Sequence, residues 1–285
     1  MNRSGEGSAL DGEVLKEKIL DEEVLHGGIA NAGAVVRQGD HVLRPSNPNT
    51  PFIHAMLRYV AEQGFTGASR PIGVDPDGRE RLEFIVGDVA IPPYPAWVQT
   101  NDALASIAAL LREFHHAVRG FVPSRDATWS NEMQDPGPLA DRTRLICHND
   151  VCLENVVFRN GEAVGLLDFD FAAPGNPLYE LAQFARMCVP VDTDEFAASL
   201  GWEPIDAATR LRVIADAYGL PPDRSEFLDV LATGVERGGQ FVMRRVEAGD
   251  PNFIEMWKNM GGMARFDRRR DWFAVNRPRL AEALG

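Results

Sequence analysis

The residues with the clearest chemical pattern lie in one stretch near the middle of the chain. His148, Asp150 and Asn155 form the pattern H-x-D-x-x-x-x-N, and an apolar run further along ends in Asp168, which opens a D-F-D triplet. In phosphoryl transfer, an aspartate in the first position accepts a hydroxyl proton, and the asparagine and the later aspartate hold Mg²⁺ on the nucleotide phosphates. The pattern therefore predicts Asp150 as the catalytic residue and Asn155 and Asp168 as metal ligands. His148 is expected to brace the loop by hydrogen bonds rather than to transfer a proton.

A predicted β-hairpin positions these groups. Its strands are Val156–Phe158 and Ala163–Leu167, joined by an Arg-Asn-Gly-Glu turn. Asp150 and Asn155 precede the first strand and Asp168 follows the second, so the hairpin should bring the three side chains together. A carboxylate buried there needs a cation or hydrogen-bond donors. The alternative is that these residues only cap turns, but the full spacing between apolar strands favours the chemical site.

The segment Leu25–Pro45 predicts three strands separated by a glycine-rich turn and a Gln-Gly-Asp turn. Gly28 and Asn31 lie in the first turn, where backbone amides can approach phosphate oxygens without interference from a Cβ. The third strand carries Arg44, at the place where a cation meets the α- and β-phosphates in a nucleotide site. A plain β-hairpin is the alternative for the glycine-rich turn, because such loops are weak indicators when taken alone.

Two further features predict how the chain is divided. Leu82–Val86 is an apolar strand end whose backbone, at Glu83 and Ile85, is expected beside an adenine edge, although an ordinary sheet strand fits equally well. The proline-rich segment Gly87–Pro95 that follows is expected to link two lobes. We therefore expect an α+β fold with an N-terminal extension at 1–23, a small antiparallel-sheet lobe at 24–90 and a mostly helical lobe at 91–285. The helices expected in the last lobe include Ser225–Glu247 and a final one near Pro278–Leu284.

Composition narrows the classes of partner. The chain has 285 residues and a net charge of −13, which argues against nucleic acid or an anionic membrane as the main partner because both demand a basic surface. This charge permits a cationic small substrate, although many soluble proteins are simply acidic. The three cysteines are wrongly spaced for a zinc site or a disulfide framework. Without a signal peptide or an apolar membrane span, we expect a cytoplasmic protein.

Residues 25–185 resemble the aminoglycoside phosphotransferase/choline kinase-like family. The segments that carry the resemblance are HNDVCLEN and LLDFDFAAPGNPLYELA, and the segments LHGGIANAGAVVR and CHNDVCLENVVF are also similar to a bacterial subgroup labelled trifolitoxin-immunity-like. The resemblance implies a protein-kinase-like two-lobed fold and a Mg²⁺-dependent transfer of the γ-phosphoryl group of ATP, with GTP as the other candidate donor, to a small-molecule hydroxyl. It also implies Asp150 as the catalytic aspartate, Asn155 and Asp168 as Mg²⁺ ligands, and Arg44 as the phosphate-contacting cation.

The sequence departs from the family pattern at several positions. Asn149 replaces the more usual glycine, Asn176 stands where an aspartate often follows glycine, and Asp170 is a candidate second metal-facing carboxylate. His54 stands on the predicted helix 47–63 where a glutamate usually pairs with the strand cation. We therefore expect Arg44 to lack its ion-pair partner, which would weaken nucleotide binding.

The function predicted from sequence is a small-molecule kinase. Its acceptor would be a hydroxylated antibiotic of the aminoglycoside type or a metabolite. The alternative is a non-catalytic kinase-like binding or immunity protein. A protein kinase is less favoured, because no Ala-Pro-Glu segment follows the D-F-D triplet. The sequence does not specify the acceptor or the oligomeric state.

Overall fold

The structure is a computed structural model that describes residues 22–25, 33–137 and 145–285. Its N-terminal part is a five-stranded antiparallel sheet in the order β1-β2-β3-β5-β4. The five strands are β1 Glu23–Val24, β2 Val36–Gln38, β3 His41–Pro45, β4 Pro71–Val74 and β5 Arg79–Glu83. The two predicted strands on either side of the Gln-Gly-Asp turn are therefore confirmed. The first strand, Glu23–Val24, lies just before the segment in which it is predicted, and residues 26–32 of the glycine-rich turn lie outside the described residues.

One helix, α1 at Thr50–Glu62, lies beside this sheet. Asn49 is its N-cap residue and Pro51 follows in the first turn, where the missing N–H of proline leaves no hydrogen bond unmade. Gly64 ends the helix with a φ of 87°, a conformation that glycine adopts at little cost. The buried face of α1 includes His54 among apolar side chains.

The second part of the molecule begins with a short strand, β6 at Asp88–Val89, and the long helix α2 at Asn101–Val118. β6 pairs with β8 of the predicted hairpin, so that they form a three-stranded sheet in the order β6-β8-β9. The remaining strands are β7 Leu145–Cys147, β8 Val156–Arg159, β9 Glu162–Leu166 and β10 Ala173–Gly175. Asn160 and Gly161 both have positive φ and close the tight turn between β8 and β9.

After β10 the described chain is helical to its end, as the sequence predicts. The helices are α3 Pro177–Cys188, α4 Asp194–Ser199, α5 Ala207–Tyr218, α6 Ser225–Glu247, α7 Pro251–Met260 and α8 Met263–Leu284. The sequence predicts α6 with these same bounds but starts the last helix only at Pro278. The structure corrects this, because Pro278 lies inside α8 without ending it. The tertiary contacts of α8 with α5 and α6 override the local preference of proline.

The main hydrophobic core lies around α2. The apolar face of α2 is fully buried at Leu104, Ile107, Leu111 and Phe114, and α5 packs along it. The same core continues beneath β8 through Phe158 and into α3 and α6. Because the strands and helices that flank the D-F-D triplet are anchored in this core, the side chains at their ends are held in fixed positions. The architecture is α+β with a small antiparallel sheet and a larger helical part, which confirms the predicted fold class.

Candidate active site

The β8–β9 hairpin brings the predicted catalytic and metal-binding residues together. Val156 pairs with Leu166 at its open end, and the Leu167 amide donates to the Asn155 carbonyl at 2.8 Å. Asn155 therefore enters one strand as Asp168 leaves the other. Asp168 has a φ of 60° and ψ of 72°, a left-handed conformation that is unfavourable for a residue with a Cβ. Such conformations persist where the surrounding structure imposes them, and they occur often at functional sites.

Asp150 lies at the centre of this end of the hairpin. The Asn155 side-chain amide donates to the Asp150 carboxylate and to the Asp150 carbonyl, both at 2.9 Å. Burial, followed by the negative charge of Asp168, raises the pKa of Asp150 to about 7. A carboxylate with this pKa can gain or lose a proton near neutral pH, which suits a group that handles a substrate proton.

Hydrogen bonds to two buried residues, His148 and Glu180, hold the loop that carries Asp150 in place. The His148 Nδ1 accepts from the Asp150 amide at 3.2 Å, so its Nε2–H donates to the Leu167 carbonyl at 2.7 Å. This confirms the prediction that His148 holds the loop by hydrogen bonds. The amide of Asn149 donates to the buried Glu180 carboxylate at 2.6 Å. These contacts fix the backbone on both sides of Asp150.

Glu180 in turn belongs to a buried chain of hydrogen bonds. His115 donates to the Glu180 carboxylate at 2.5 Å and accepts from the Tyr218 hydroxyl at 2.7 Å. His115, at the end of α2, therefore has a structural role. Apart from its place in the resembling segment, Glu180 could not be recognised from the sequence, because its partners come from distant elements such as α2.

Arg44 contacts carboxylates on three sides. Its guanidinium forms ion pairs with Glu80 at 2.5 Å, with Asp168 at 2.7 Å and with Asp170 at 2.5 Å. Burial would raise the pKa of Asp168, but the positive charge of Arg44 outweighs burial and holds this pKa below its usual range. Asp170 has a raised pKa because of burial and the neighbouring Asp168. The guanidinium thus holds both aspartates of the triplet while its own side chain is 8% exposed.

The expectation that Arg44 lacks its usual ion-pair partner is wrong. Glu80 on β5 is the direct cross-strand neighbour of Arg44 on β3, and it supplies the carboxylate. His54 on α1 donates from Nε2 to the other Glu80 oxygen at 2.6 Å. His54 is thus linked to Arg44 through Glu80, so α1 and β5 are both connected to the cation by hydrogen bonds. The physical reason is that a cross-strand carboxylate is within reach of Arg44 whatever residue the helix presents.

Arg44, Asn155 and Asp168 line a cavity of about 400 Å³ between the two parts of the molecule. Its other walls are mainly apolar and include Leu82, Ile85, Val157 and Leu166. A cavity of this size and composition can hold a flat ring system, with polar groups at one end.

The donor atoms at the polar end of this cavity fit Mg²⁺. Asp168 presents a carboxylate that is 27% exposed, and Asn155 uses its amide nitrogen for Asp150, which leaves the amide oxygen for another contact. Hard oxygen ligands of this kind, completed by phosphate oxygens, are what Mg²⁺ prefers.

The other residues predicted to bind the nucleotide differ in what the structure shows of them. Gly28 and Asn31 lie outside the described residues. Ile85 lines the cavity, whereas Glu83 is not among its lining residues and donates its amide to the Arg70 carbonyl at 2.9 Å. The contact of the Glu83 backbone with an adenine edge therefore stays a prediction, and it would have to use the Glu83 carbonyl.

Comparisons with known proteins agree with this geometry. The sequence model of a phosphotransferase enzyme family matches residues 119–214. The chain is 31% identical to the trifolitoxin immunity protein of Rhizobium leguminosarum bv. trifolii over 217 residues, which cover 75% of this chain and 80% of that protein. Among the described residues, no helix is long and apolar enough to cross a membrane.

Solved structures share the whole architecture. A choline/ethanolamine kinase family protein from Mesorhizobium loti superposes with a TM-score of 0.61 at 18% identity and covers 95% of each chain. Aminoglycoside 2'-phosphotransferase-IIIa, solved as a GDP complex, gives a TM-score of 0.55 at 14% identity and covers 92% of this chain and 95% of its own. These likenesses establish a protein-kinase-like two-lobed fold, as the sequence resemblance implies.

Proposed function

The chain belongs to the aminoglycoside phosphotransferase and choline kinase-like family, and we propose that it transfers the γ-phosphoryl group of a nucleoside triphosphate to a hydroxyl group of a small molecule. The observation that carries the proposal is the grouping of Asp150, Asn155 and Asp168 at one end of the β8–β9 hairpin, next to a mainly apolar cavity. Few other reactions require a proton acceptor and two hard oxygen ligands beside a ring-sized pocket.

Asp150 is the proton acceptor in this proposal. Its carboxylate orients the acceptor hydroxyl and takes the hydroxyl proton as the oxygen attacks the γ-phosphorus, while the bond to the nucleoside diphosphate breaks in line. The amide of Asn155 fixes the carboxylate through the 2.9 Å hydrogen bond. A pKa raised to about 7 by burial supports this role, because a base is most effective when its pKa lies near the working pH.

Asp168 and Asn155 are the proposed Mg²⁺ ligands, with Asp170 beside them. Mg²⁺, when bound, neutralises negative charge on the phosphate oxygens. Arg44 holds both aspartates in ion pairs, and its charge is available to the α- and β-phosphates once a metal ion shares these carboxylates. Ile85 and the neighbouring apolar side chains are the proposed walls around the nucleobase, and the Glu83 backbone is a further proposed contact of the adenine edge. The backbone amides of Gly28 and Asn31 are the proposed phosphate contacts. ATP is the proposed donor, with GTP as the alternative.

Residues 24–90 are the proposed nucleotide-binding lobe. Residues 91–285 are the proposed catalytic and acceptor-binding lobe, and residues 1–23 are the proposed N-terminal extension. The partner is a small hydroxylated molecule rather than nucleic acid or membrane. The protein acts in the cytoplasm, which is supported by its three cysteines, all free thiols.

A second candidate function is supported by one observation. The 31% identity to a trifolitoxin immunity protein is compatible with a kinase-like protein that binds and sequesters a small molecule or peptide without phosphorylating it. Such a protein needs no proton acceptor and transfers no phosphoryl group, so Asp150→Asn should leave its function unchanged. The proposed kinase should lose transfer in the same variant, which separates the two candidates experimentally.

The first experiment measures phosphoryl transfer. Purified protein is incubated with Mg²⁺ and ATP or GTP and with pooled hydroxylated metabolites and aminoglycosides, and the products are followed by mass spectrometry. Asp150→Asn should lower the rate by about 10²- to 10⁴-fold, the contribution of a positioned general base. Asp102→Asn, an exposed carboxylate on α2, is the matched control. Wild-type turnover by Asp150→Asn would refute the assignment of the base.

The second experiment measures nucleotide binding by calorimetry. Asp168→Asn should lose Mg²⁺-dependent binding, since it removes the charged metal ligand, while Asp150→Asn should retain it. Unchanged Mg²⁺-dependent binding in Asp168→Asn would move the metal site elsewhere. Nucleotide binding without transfer to any acceptor would favour the sequestering protein.

A further inference from the structure

The start of helix α1 is hydrogen-bonded to two carboxylates beside the cavity. Asn47, which precedes the helix, donates from its side-chain amide to the Asp170 carboxylate at 3.0 Å. Its backbone amide donates to the hydroxyl of Thr50, the first residue of α1, at 2.9 Å. One turn later, His54 donates to the Glu80 carboxylate at 2.6 Å. The first turn of α1 is therefore connected to carboxylates on two other parts of the chain.

Glu80 has one hydrogen-bond donor on each of its carboxylate oxygens. Its Oε1 accepts from Arg44 Nε at 2.5 Å, and its Oε2 accepts from His54 Nε2 at 2.6 Å. Glu80 is 1% exposed and His54 is 3% exposed, so bulk water reaches neither residue. A buried carboxylate oxygen that loses its donor costs free energy, and a carboxylate with donors on both oxygens has a fixed orientation. His54 therefore fixes the orientation in which Glu80 faces Arg44.

Arg44 uses a different nitrogen for each of its carboxylates. Nε contacts Glu80, Nη1 contacts Asp168 at 2.7 Å and Nη2 contacts Asp170 at 2.5 Å. The side chains of Asp168 and Asp170 are 27% and 24% exposed, whereas Glu80 is buried. A metal ion from solvent can therefore reach the two aspartates but not the glutamate.

This division leaves Glu80 as the lasting partner of Arg44. In the proposed function Mg²⁺ binds Asp168, and the ion then competes with Nη1 for the carboxylate oxygens. The contact between Nε and Glu80 does not compete with the ion, because Glu80 is not accessible to it. The two Nη atoms can then face phosphate oxygens. A guanidinium binds a phosphate through two parallel hydrogen bonds only when its plane is correctly oriented.

We propose that His54 is a positioning residue for the nucleotide phosphates. Through Glu80, it keeps the guanidinium of Arg44 in place when Mg²⁺ binds Asp168, so that Nη1 and Nη2 face the phosphate oxygens. This inference rests on the proposed function and adds to it a residue that does not line the cavity. It also makes the phosphate contacts depend on the position of α1.

A purely structural role for His54 predicts a different result. His54 shares the buried face of α1 with Ile53 and Leu57, and these two apolar residues line the cavity. If His54 only supported the packing of α1, its replacement would disturb these walls and weaken the binding of the nucleoside as well. If His54 acts on Arg44, its replacement weakens only the binding of phosphates. Adenosine, which has no phosphate, separates the two roles.

The deciding experiment measures the binding of a non-hydrolysable ATP analogue and of adenosine to the full chain, both with Mg²⁺, by calorimetry. His54→Leu removes the donor and should weaken the binding of the analogue by about tenfold, the contribution of one charge-assisted hydrogen bond. It should bind adenosine like wild type. His54→Gln, whose amide can donate to Glu80, should recover most of the loss. Arg58→Leu, an exposed position one turn further along α1, is the matched control and should change neither affinity.

Two results would overturn the inference. One is an unchanged affinity of His54→Leu for the ATP analogue, and the other is an equal loss of affinity for the analogue and for adenosine. Far-ultraviolet circular dichroism checks that each variant is folded. If His54→Leu does not fold, His54→Asn takes its place in the comparison with His54→Gln, because the shorter amide ends further from Glu80.

A double-mutant cycle tests whether His54 acts through Glu80. Glu80→Met removes the carboxylate that connects the histidine to Arg44. In this background, His54→Leu should change the affinity for the ATP analogue by less than about twofold, and a further loss of about tenfold would overturn the inference. If wild type binds no nucleotide at all, the proposed function and this inference fail together. If binding is present but does not depend on His54, only this inference fails.

Discussion

Two buried ion clusters of the molecule are opposite in charge. Arg44, beside the cavity, contacts three carboxylates, Glu80, Asp168 and Asp170. In the helical part, Arg265 and Arg269 of α8 share one carboxylate, Asp192. The first cluster has an excess of negative charge and the second an excess of positive charge.

This difference indicates what each cluster lacks. Buried charges of one sign are stable only when a partner of the other sign is supplied. A divalent cation would complete the Arg44 cluster. In the Asp192 cluster, the carbonyls of Val191 and Arg186 accept hydrogen bonds from Arg269, so backbone oxygens supply part of the missing negative charge.

The largest expected effect comes from removing Arg44. Arg44→Met leaves three neighbouring carboxylates without their cation and should lower the free energy of unfolding by about 3–5 kcal/mol in metal-free buffer. Mg²⁺ should recover part of this loss, because it can replace the missing charge. Urea unfolding with and without Mg²⁺ measures both.

A matched control tests whether the loss comes from the cluster. Arg81→Met breaks a half-exposed pair with Asp75 and should cost about 0–1 kcal/mol without any response to Mg²⁺. Equal losses in the two variants would mean that the carboxylates around Arg44 are not short of positive charge.

The next largest expected effect is a pH dependence of the unfolding free energy that Asp150 causes. Because the pKa of Asp150 rises from 3.8 to about 7 on folding, the native state favours the protonated form. The protonated Asp150 side chain stabilises the native state fully below pH 3.8. This stabilisation is lost as pH rises to about 7, and the remaining stability does not change with this group above that pH. Asp150→Asn removes this dependence, so its stability advantage over wild type should grow by about 1.4 kcal/mol per pH unit across the window, as an upper limit.

Chemical unfolding of metal-free protein at several pH values measures this advantage. Asp102→Asn serves again as the exposed control and should show no such trend. A stability difference between Asp150→Asn and wild type that does not change between pH 4 and pH 7 would mean that Asp150 is ionised in the native state throughout.

The smallest expected effect on stability comes from Gly238→Ala. The new Cβ would meet Arg186 Nη1 and displace the guanidinium, while alanine strengthens the helix by about 1 kcal/mol. The net change in unfolding free energy should therefore stay within about 1 kcal/mol, and urea unfolding measures it. Thr233→Ala, on the exposed face of α6, is the control. A loss several-fold larger in Gly238→Ala than in Thr233→Ala would mean that the Arg186 guanidinium cannot move aside.

Local patterns in the sequence were sufficient to predict the hairpin and its chemistry. Asn160 and Gly161 require a tight turn, the apolar strands on both sides require burial, and the spacing then determines that Asn155 and Asp168 meet. The bounds of α6 follow equally from its helical periodicity. These predictions succeed because the interactions that decide them lie within a few residues along the chain.

The sequence did not predict the partners of the two buried ion clusters. Glu80 faces Arg44 only because β3 pairs with β5 in one register, and His54 reaches it from a separate helix. Likewise, Arg265 and Arg269 of α8 meet Asp192 only through the packing of distant parts of the chain. The sequence by itself determined which groups carry the proposed chemistry. The tertiary structure decided their electrostatic environment, because burial and long-range neighbours determine the local charge and are not encoded by spacing along the chain.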